Sequence, residues 1–290
     1  MNRLLFKLLL VLCGSLVATS SLLASSRLQT FVSIAPQKYF VEQIGKDRVK
    51  VRVMVQPGSS PHTYEPKPKQ MVAITRTKLF FTIGVAFEDT WMRRIAATNP
   101  AMKIAETHHG VKKIAITGHH DDHETDLSHG LDPHIWLSPP LVKKQAKAIL
   151  IALQDMDPAN HSFYETNYHQ FINRISALDR DLKNSFAGKK HRQFMVFHPS
   201  WGYFAQAYGL KQIAIELEGK RPKPAQLKAI IKYGREHQIR IIFAQPQFSA
   251  RNALLVARAL SGEVIFVDPL AENWLSNLNQ VADKFRQAMQ

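Results

Sequence analysis

The stretch DPANHSFYETNYHQFINRISALDRDLKNSFAG, residues 157–188, divides the chain into two halves and decides its fold. Asp157 and Pro158 are typical of a helix start, and Gly188 is typical of a helix end. We therefore predict one long helix from Pro158 to Gly188, which would be a stiff connector; two ordinary helices with a break near Asn173 are the alternative. The apolar residues between these ends recur at steps of four and three, the spacing of one helix face: Tyr164, Tyr168, Phe171, Ile175, Leu178, Leu182 and Phe186.

Short strand-like runs alternate with helical patterns on both sides of this helix. Such alternation is typical of α/β lobes with mainly parallel sheets flanked by helices. We predict two such lobes, at residues 27–157 and 189–290, joined by one long rigid helix at residues 158–188. The strand-like runs lie at residues 29–35, 49–55, 79–83, 193–197, 212–217, 239–244 and 263–267. The helical patterns lie at residues 68–76, 87–97, 139–154, 224–236, 250–260 and 273–289.

The first 26 residues differ in character from the rest of the chain. Arg3 and Lys7 precede an apolar run, and small residues follow it, which is the order of a cleaved secretory signal peptide. We therefore predict export to the periplasm; a retained anchor is the alternative. Lipid attachment at Cys13 is disfavoured because Leu12 stands where a small residue is needed. Cys13 is the only cysteine, so the exported chain would have neither a disulfide nor a thiolate metal site.

The chain is strongly basic. Its formal net charge is +15, and it is +13 without the first 26 residues, which carry two basic and no acidic residues. A positive net charge of this size is typical of proteins that bind nucleic acid or an anionic membrane surface. However, the lysines and arginines are dispersed, and no nucleic-acid-binding motif is present. We therefore predict a solvated basic surface, no nucleic-acid partner, and contact with the membrane only through a membrane protein.

Four candidate metal ligands lie beside prolines, and at least three follow a predicted strand directly. They are His62 in QPGSSPHTYEP, His134 in LDPHIWLSPP, His198 in FMVFHPSWGYFA and Asp268 in VIFVDPL. Ligands of open α/β sheets bind beyond the carboxyl ends of the strands, and imidazole and carboxylate groups suit Zn²⁺. Taken alone, each histidine could be an ordinary loop residue, and Asp268 could simply start a turn. Taken together, they predict a metal site in the cleft between the lobes.

These motifs, with the segment IELEGKRPKPAQLKAII, resemble the metal-ion class of ABC-transporter solute-binding proteins, and most closely the ZnuA-type zinc-uptake branch. The resemblance extends from about Leu28 to the C-terminus, with the motifs in matching order. It implies two α/β lobes joined by a rigid helix, with metal ligands at His62, His134 and His198. In many members a carboxylate at the position of Asp268 completes the set. The resemblance also implies a monomer that captures Zn²⁺ and delivers it to an ABC importer permease with its cytoplasmic ATPase.

The ligand set favours zinc over manganese or iron, which other proteins of the same fold bind. Manganese members tend to carry a carboxylate at the third position, where this chain has His198. Three nitrogens and one oxygen suit zinc, whereas manganese prefers oxygen. Pro61 precedes the first histidine and offers no carboxylate, so Asp268 or a water is expected as the fourth ligand. The reserve carboxylates are Glu65, Glu216 and Glu218.

The segment HHDDHETDLSH, residues 119–129, is rich in histidine and acidic side chains. We interpret it as an auxiliary loop that binds zinc weakly, similar to a loop in many zinc-uptake members. A polar loop without a metal role is the alternative. Its candidate ligands are His119, His120, His123 and His129.

Two other functions are alternatives to capture and delivery. A zinc hydrolase needs an open coordination position and a nearby general base, for which Glu65 is available. The chain has no HExxH helix or similar compact motif, so we predict a binding protein and not an enzyme. A surface adhesin could be built on the same fold, because a fold alone does not determine function.

Overall fold

The computed structural model describes residues 27–116, 130–189, 192–216 and 222–289. The strands are β1 (Leu28–Val32), β2 (Val49–Val53), β3 (Leu79–Thr82), β4 (Lys103–Glu106), β5 (Gln193–Val196), β6 (Lys211–Ala214), β7 (Ile241–Ala244) and β8 (Glu263–Phe266). The helices are α1 (Ala35–Gly45), α2 (Pro68–Ile74), α3 (Ala86–Thr98), α4 (Pro139–Met156), α5 (His161–Phe186), α6 (Gly202–Ala207), α7 (Pro224–Glu236), α8 (Arg251–Ala259) and α9 (Trp274–Ala288).

The strands form two four-stranded sheets with the same topology. Their orders are β2-β1-β3-β4 and β6-β5-β7-β8, and every neighbouring pair is parallel. The carboxyl ends of all four strands in a sheet therefore lie at one edge, where loops can bring side chains together. The predicted fold class, two parallel-sheet lobes flanked by helices, is confirmed.

Helix α5 links the two lobes. It runs without a break past Asn173 and follows a short 3₁₀ turn at Pro158–Asn160, so the prediction of one long helix is confirmed. At ~1.5 Å per residue it is about 39 Å long. The hydroxyl of Tyr164 donates a hydrogen bond of 2.7 Å to the carboxylate of Asp157, which fixes the start of the helix. The division into residues 27–157 and 189–290 stays a prediction.

The two lobes and α5 share one hydrophobic core. Phe40 of α1 contacts Phe171 of α5 and Trp274 of α9, with ring centroids 6.0 and 5.1 Å apart. These three rings belong to a buried apolar cluster that continues through both sheets. Wide separation of the lobes would expose this apolar surface to water, at a free-energy cost of about 25 cal/mol for each Å². The core therefore favours small movements about the site.

Four elements differ from the sequence-based expectation. Strand β1 ends at Val32, and α1 begins at Ala35 with Pro36 in its first turn, so the predicted strand was too long and a helix was missed. Strand β4 has mostly exposed side chains and no apolar alternation to reveal it. Helix α6 is six residues long, which is too short for a helical period to show.

In the part of the chain that the structure describes, no helix is both long and apolar enough to cross a membrane. The predicted signal peptide and Cys13 lie outside the described residues, as do Glu218 and the histidine-rich segment 119–129.

Candidate metal centre

Three histidines from separate parts of the chain converge between the lobes. His62 lies in the loop between β2 and α2, His134 lies just before the turn leading into α4, and His198 follows β5. The Nε2 atom of His198 lies 3.2 Å from that of His62 and 3.4 Å from that of His134. Ligand atoms of all three residues lie within 4.8 Å of one another, a grouping found nowhere else in the described residues.

The two separations from Nε2 of His198 match those of a tetrahedral zinc site. Zinc binds imidazole nitrogen at about 2.0–2.1 Å, so two such ligands at a tetrahedral angle are about 3.4 Å apart. The observed separations of 3.2 and 3.4 Å therefore need almost no rearrangement. In such a site the three histidines would take three corners of the tetrahedron and leave the fourth to another ligand.

Two buried carboxylates orient two of the rings. The Nδ1 atom of His134 lies 2.7 Å from Oδ1 of Asp132, and Nδ1 of His198 lies 2.7 Å from Oε1 of Glu216. Ionised carboxylates only accept hydrogen bonds, so each ring donates from Nδ1 and keeps its lone pair on Nε2. The two facing Nε2 atoms are then both acceptors and cannot bond to each other. A cation between them satisfies both.

Burial favours the neutral form of two of these side chains, His62 and His198. His134 and His198 are each 5% exposed, and His62 is half-buried. Burial, together with the neighbouring His134 and His198, lowers the pKa of His62 to about 3. Burial also lowers the pKa of His198, against the raising effect of its hydrogen bond to Glu216. Neutral imidazole is the form that binds metal.

Aromatic rings close the site on two sides. The ring of Trp136 lies 5.1 Å from that of His134, and Phe248 stacks on His198 with centroids 4.6 Å apart. The cavity that these residues line has a volume of about 10 Å³, which is enough for one ion or one water. An apolar wall of this kind excludes bulk water and strengthens charge interactions inside.

The loop that carries His134 is tied to the other lobe. The hydroxyl of Tyr203, at the start of α6, donates a hydrogen bond of 2.9 Å to the carbonyl of Asp132 and accepts one of 3.1 Å from the amide of Ile114. The indole of Trp136 donates a hydrogen bond of 2.7 Å to the carbonyl of Pro269. Ligands from both lobes are thus held at a fixed separation.

The structure does not bring Asp268 into the group of histidines. Its Oδ1 atom instead accepts hydrogen bonds from Nε2 of Gln247, at 2.7 Å, and from the amide of Leu270, at 2.9 Å. Its assignment as the fourth ligand therefore stays a prediction. Of the reserve carboxylates, Glu216 binds a histidine ring, and Glu65 is exposed and does not line the metal cavity.

The family described as "ZnuA: Zinc-uptake complex component A periplasmic" matches residues 31–288. The chain belongs to this family. The chain is 29% identical over 267 residues to the high-affinity zinc uptake system protein ZnuA of Bacillus subtilis (strain 168). The match covers 89% of this chain and 82% of the relative.

Two solved structures of ZnuA are similar to this chain. One crystal structure of ZnuA has a TM-score of 0.86 and 38% identity, covering 91% of this chain and all of the other. A zinc-bound ZnuA deletion mutant has a TM-score of 0.85 and 39% identity, covering 91% and 99% of the two chains. The lobes, the linking helix and their arrangement are therefore those of the family.

Proposed function

We propose that this chain is an exported periplasmic monomer that captures Zn²⁺ with His62, His134 and His198 and delivers it to an ABC importer. The observation that carries the proposal is the convergence of three imidazole groups in the cleft between the lobes, with ligand atoms within 4.8 Å of one another. The partner would be a membrane-spanning permease powered by a cytoplasmic ATPase. Membership of the zinc-uptake component A family supports this role.

The donor set selects zinc over manganese. Three nitrogen ligands suit zinc, whereas manganese prefers oxygen ligands and a higher coordination number. Asp268 or a water takes the fourth position. The two buried carboxylates beside the site, Asp132 and Glu216, hydrogen-bond to Nδ1 atoms and so orient the nitrogen ligands.

Capture, and not hydrolysis, follows from the surroundings of the site. A hydrolytic zinc needs a free general base within hydrogen-bond reach of a bound water. The nearby carboxylates Asp132 and Glu216 orient ligands, and Glu65 is exposed outside the cavity. A cavity of about 10 Å³ also leaves no room for a substrate beside the ion.

Metal titration of the mature chain tests this function. The chain should bind one Zn²⁺ tightly, in preference to Mn²⁺, with additional weak zinc that disappears when residues 117–129 are replaced by a short turn. The stem of that segment suits such a replacement, because the amide of Ile116 bonds to the carbonyl of Gly130 at 3.2 Å and that of Asp132 bonds to Ile114 at 2.8 Å. Competition with a chelator of known affinity gives both the stoichiometry and the dissociation constant.

A matched control keeps the length of the segment and replaces only its four histidines, His119, His120, His123 and His129, with serine. It should lose the weak sites in the same way. Loss of the tight site in either variant, or a tight site that prefers Mn²⁺, would contradict the proposed assignment.

Zinc affinity should depend weakly on pH between 7.5 and 5.5. Three ordinary imidazoles would lose about a thousandfold in affinity over this window, since each binds a proton below about pH 6.5. With the pKa of His62 lowered to about 3 and that of His198 also lowered, neither needs to release a proton on binding. We expect a loss of about tenfold or less in chelator competition at each pH. A thousandfold loss would show that the site is open to protons.

The same shifts predict how the metal-free protein responds to acid. Unfolding restores the ordinary pKa of each histidine, so the unfolded chain binds more protons as the pH falls below about 6.5. The metal-free protein should therefore lose stability between pH 6.5 and 5, and bound zinc should restore it.

A further inference from the structure

A glycine of the second lobe lies against the carboxylate that orients His134. Gly202 is the first residue of α6, and a β-carbon built on it would lie 2.8 Å from Oδ2 of Asp132. Non-bonded atoms normally meet at about 3.5–4.0 Å, so a side chain at this position would collide with the carboxylate. Gly202 is not among the glycines with a positive φ. The close approach of the two lobes, and not the backbone conformation, therefore requires a glycine here.

The carboxylate of Asp132 has little freedom to move aside. The residue is 1% exposed, and its Oδ1 atom accepts two hydrogen bonds from His134, one of 2.8 Å from the amide and one of 2.7 Å from Nδ1 of the ring. The two oxygens belong to one rigid planar group, so a displacement of Oδ2 also displaces Oδ1. Crowding at Gly202 would therefore disturb the hydrogen bond that orients the ring of His134.

Helix α6 cannot easily retreat from this contact. Just before it, the amide of Trp201 donates a hydrogen bond of 2.7 Å to Oε1 of Gln212, and the hydroxyl of Tyr203 donates one of 2.9 Å to the carbonyl of Asp132. The side chains of Trp201, Tyr203 and Phe204 are all buried. The helix and the loop that carries Asp132 are thus held together on both sides, and the added volume would act on the carboxylate between them.

The two oriented histidines differ in what lies behind their carboxylates. His198 and Glu216 follow β5 and β6, which are neighbours in one sheet, so a single lobe fixes that pair. The carboxylate of Asp132 instead rests against Gly202 of the other lobe. A change in the packing of the lobes at this contact should therefore affect the ring of His134 and leave that of His198 in place.

We propose that Gly202 is a positioning residue of the metal site, which acts through Asp132 on the orientation of His134. The inference rests on the proposed function. The missing side chain lets α6 pack directly against the carboxylate, which holds the ring with Nε2 towards the other two histidines. Gly202 does not line the metal cavity and touches no ligand ring. Its effect on the ion is therefore indirect, and the packing of the lobes is linked to the geometry of one ligand.

Gly202→Ala tests this link. We expect the affinity for Zn²⁺ to fall by about tenfold in chelator competition. This is the lower end of the 10–100-fold that an orienting partner contributes, because the carboxylate is displaced and not removed. Alanine forms helices better than glycine, so a weaker α6 would not account for the loss.

Gly234→Ala is the matched control, because it introduces the same crowding away from the metal. A β-carbon on Gly234 in α7 would lie 2.7 Å from Cδ1 of Leu260, in the apolar core of the second lobe. This variant should lower the thermal stability of the metal-free protein and leave its zinc affinity within about twofold. A control that lost as much affinity as Gly202→Ala would show that crowding anywhere in the lobe weakens the site, and would overturn the proposal.

Proton NMR of the ring N–H groups separates positioning from a general loss of structure. A proton in a short hydrogen bond resonates far downfield, and both Nδ1 bonds are 2.7 Å long. In metal-free Gly202→Ala, the Nδ1 proton of His134 should move upfield, while that of His198 stays in place as an internal reference. Equal shifts of both protons, or of neither, would contradict an action through Asp132.

A double variant provides the last test. In an Asp132→Ala background there is no carboxylate for the new methyl group to displace, so adding Gly202→Ala should change the affinity by less than about twofold. Residues that act through one contact are non-additive in this way. A full tenfold loss in that background would mean that Gly202 acts by another route, and the proposal would be wrong. Failure of the unmodified chain to bind one Zn²⁺ tightly would instead contradict the proposed function itself.

Discussion

His198→Ala should weaken zinc binding by two to three orders of magnitude. A structural zinc site contributes about 10–16 kcal/mol of binding free energy through four ligands, or roughly 2.5–4 kcal/mol for each. At ~1.4 kcal/mol per tenfold, the loss of one imidazole corresponds to a factor of about 10²–10³. The expectation is strongest for His198, because its Nε2 atom is the one that lies close to both of the others.

Chelator competition measures this loss, and His169→Ala is the matched control because His169 is exposed on α5. Thermal unfolding of the metal-free proteins must accompany it, since removal of His198 leaves the buried carboxylate of Glu216 without its partner. That defect lowers the free energy of unfolding by about 1–3 kcal/mol, and it does so in the metal-free protein as well. Tight one-to-one binding that survives in a folded His198→Ala protein would show that the ligands have been assigned wrongly.

The linking helix and the sheets could be predicted because their signals are periodic. Apolar residues at helical spacing over residues 164–186, and short β-branched runs in both halves, depend only on local burial. Two of the elements that were missed lack such periods. Strand β4 is an edge strand with exposed side chains, and α6 is shorter than two turns.

Three histidines could be identified as candidates because each lies beside a proline, and because His62 and His198 also follow a predicted strand, at the end where parallel sheets bind ligands. Sequence position alone does not give the distance between them, which depends on how two lobes pack. The same limit applies to Asp268, which follows β8 as predicted but bonds to Gln247 and Leu270 in this structure.

The two orienting carboxylates were within reach of the same reasoning, but their hydrogen bonds to the histidine rings were not predicted. Asp132 lies two residues before His134, and an Asp-Pro pair is typical of a turn. Its Oδ1 atom accepts a hydrogen bond from the amide of His134, as such a turn requires. Its bond to Nδ1 of the ring uses the same oxygen. Glu216 ends the extended run after β6, beside β5, so the strand-end rule applied to it as well. Phe248 left no signal, because stacking on His198 depends on the fold of a loop.

Glu216→Gln should weaken zinc binding by roughly 10–100-fold, the usual cost of losing a partner that orients a ligand. The glutamate accepts the Nδ1 proton of His198 at 2.7 Å, which leaves Nε2 free for the metal. A glutamine amide can donate to Nδ1 instead, and the proton then moves to Nε2 and blocks binding. Asp132→Asn should act in the same way through His134, since its bond is of the same length.

Nitrogen NMR of the imidazole rings distinguishes this mechanism from a merely structural defect, because it reports which ring nitrogen carries the proton. The metal-free Glu216→Gln protein should show His198 with more of its proton on Nε2, in proportion to the lost affinity. Glu236→Gln, an exposed change on α7, is the matched control and should alter neither the zinc affinity nor the tautomer of His198. A weakened affinity with an unchanged tautomer would mean that Glu216 acts through packing. Full affinity would mean that zinc selects the tautomer without its help.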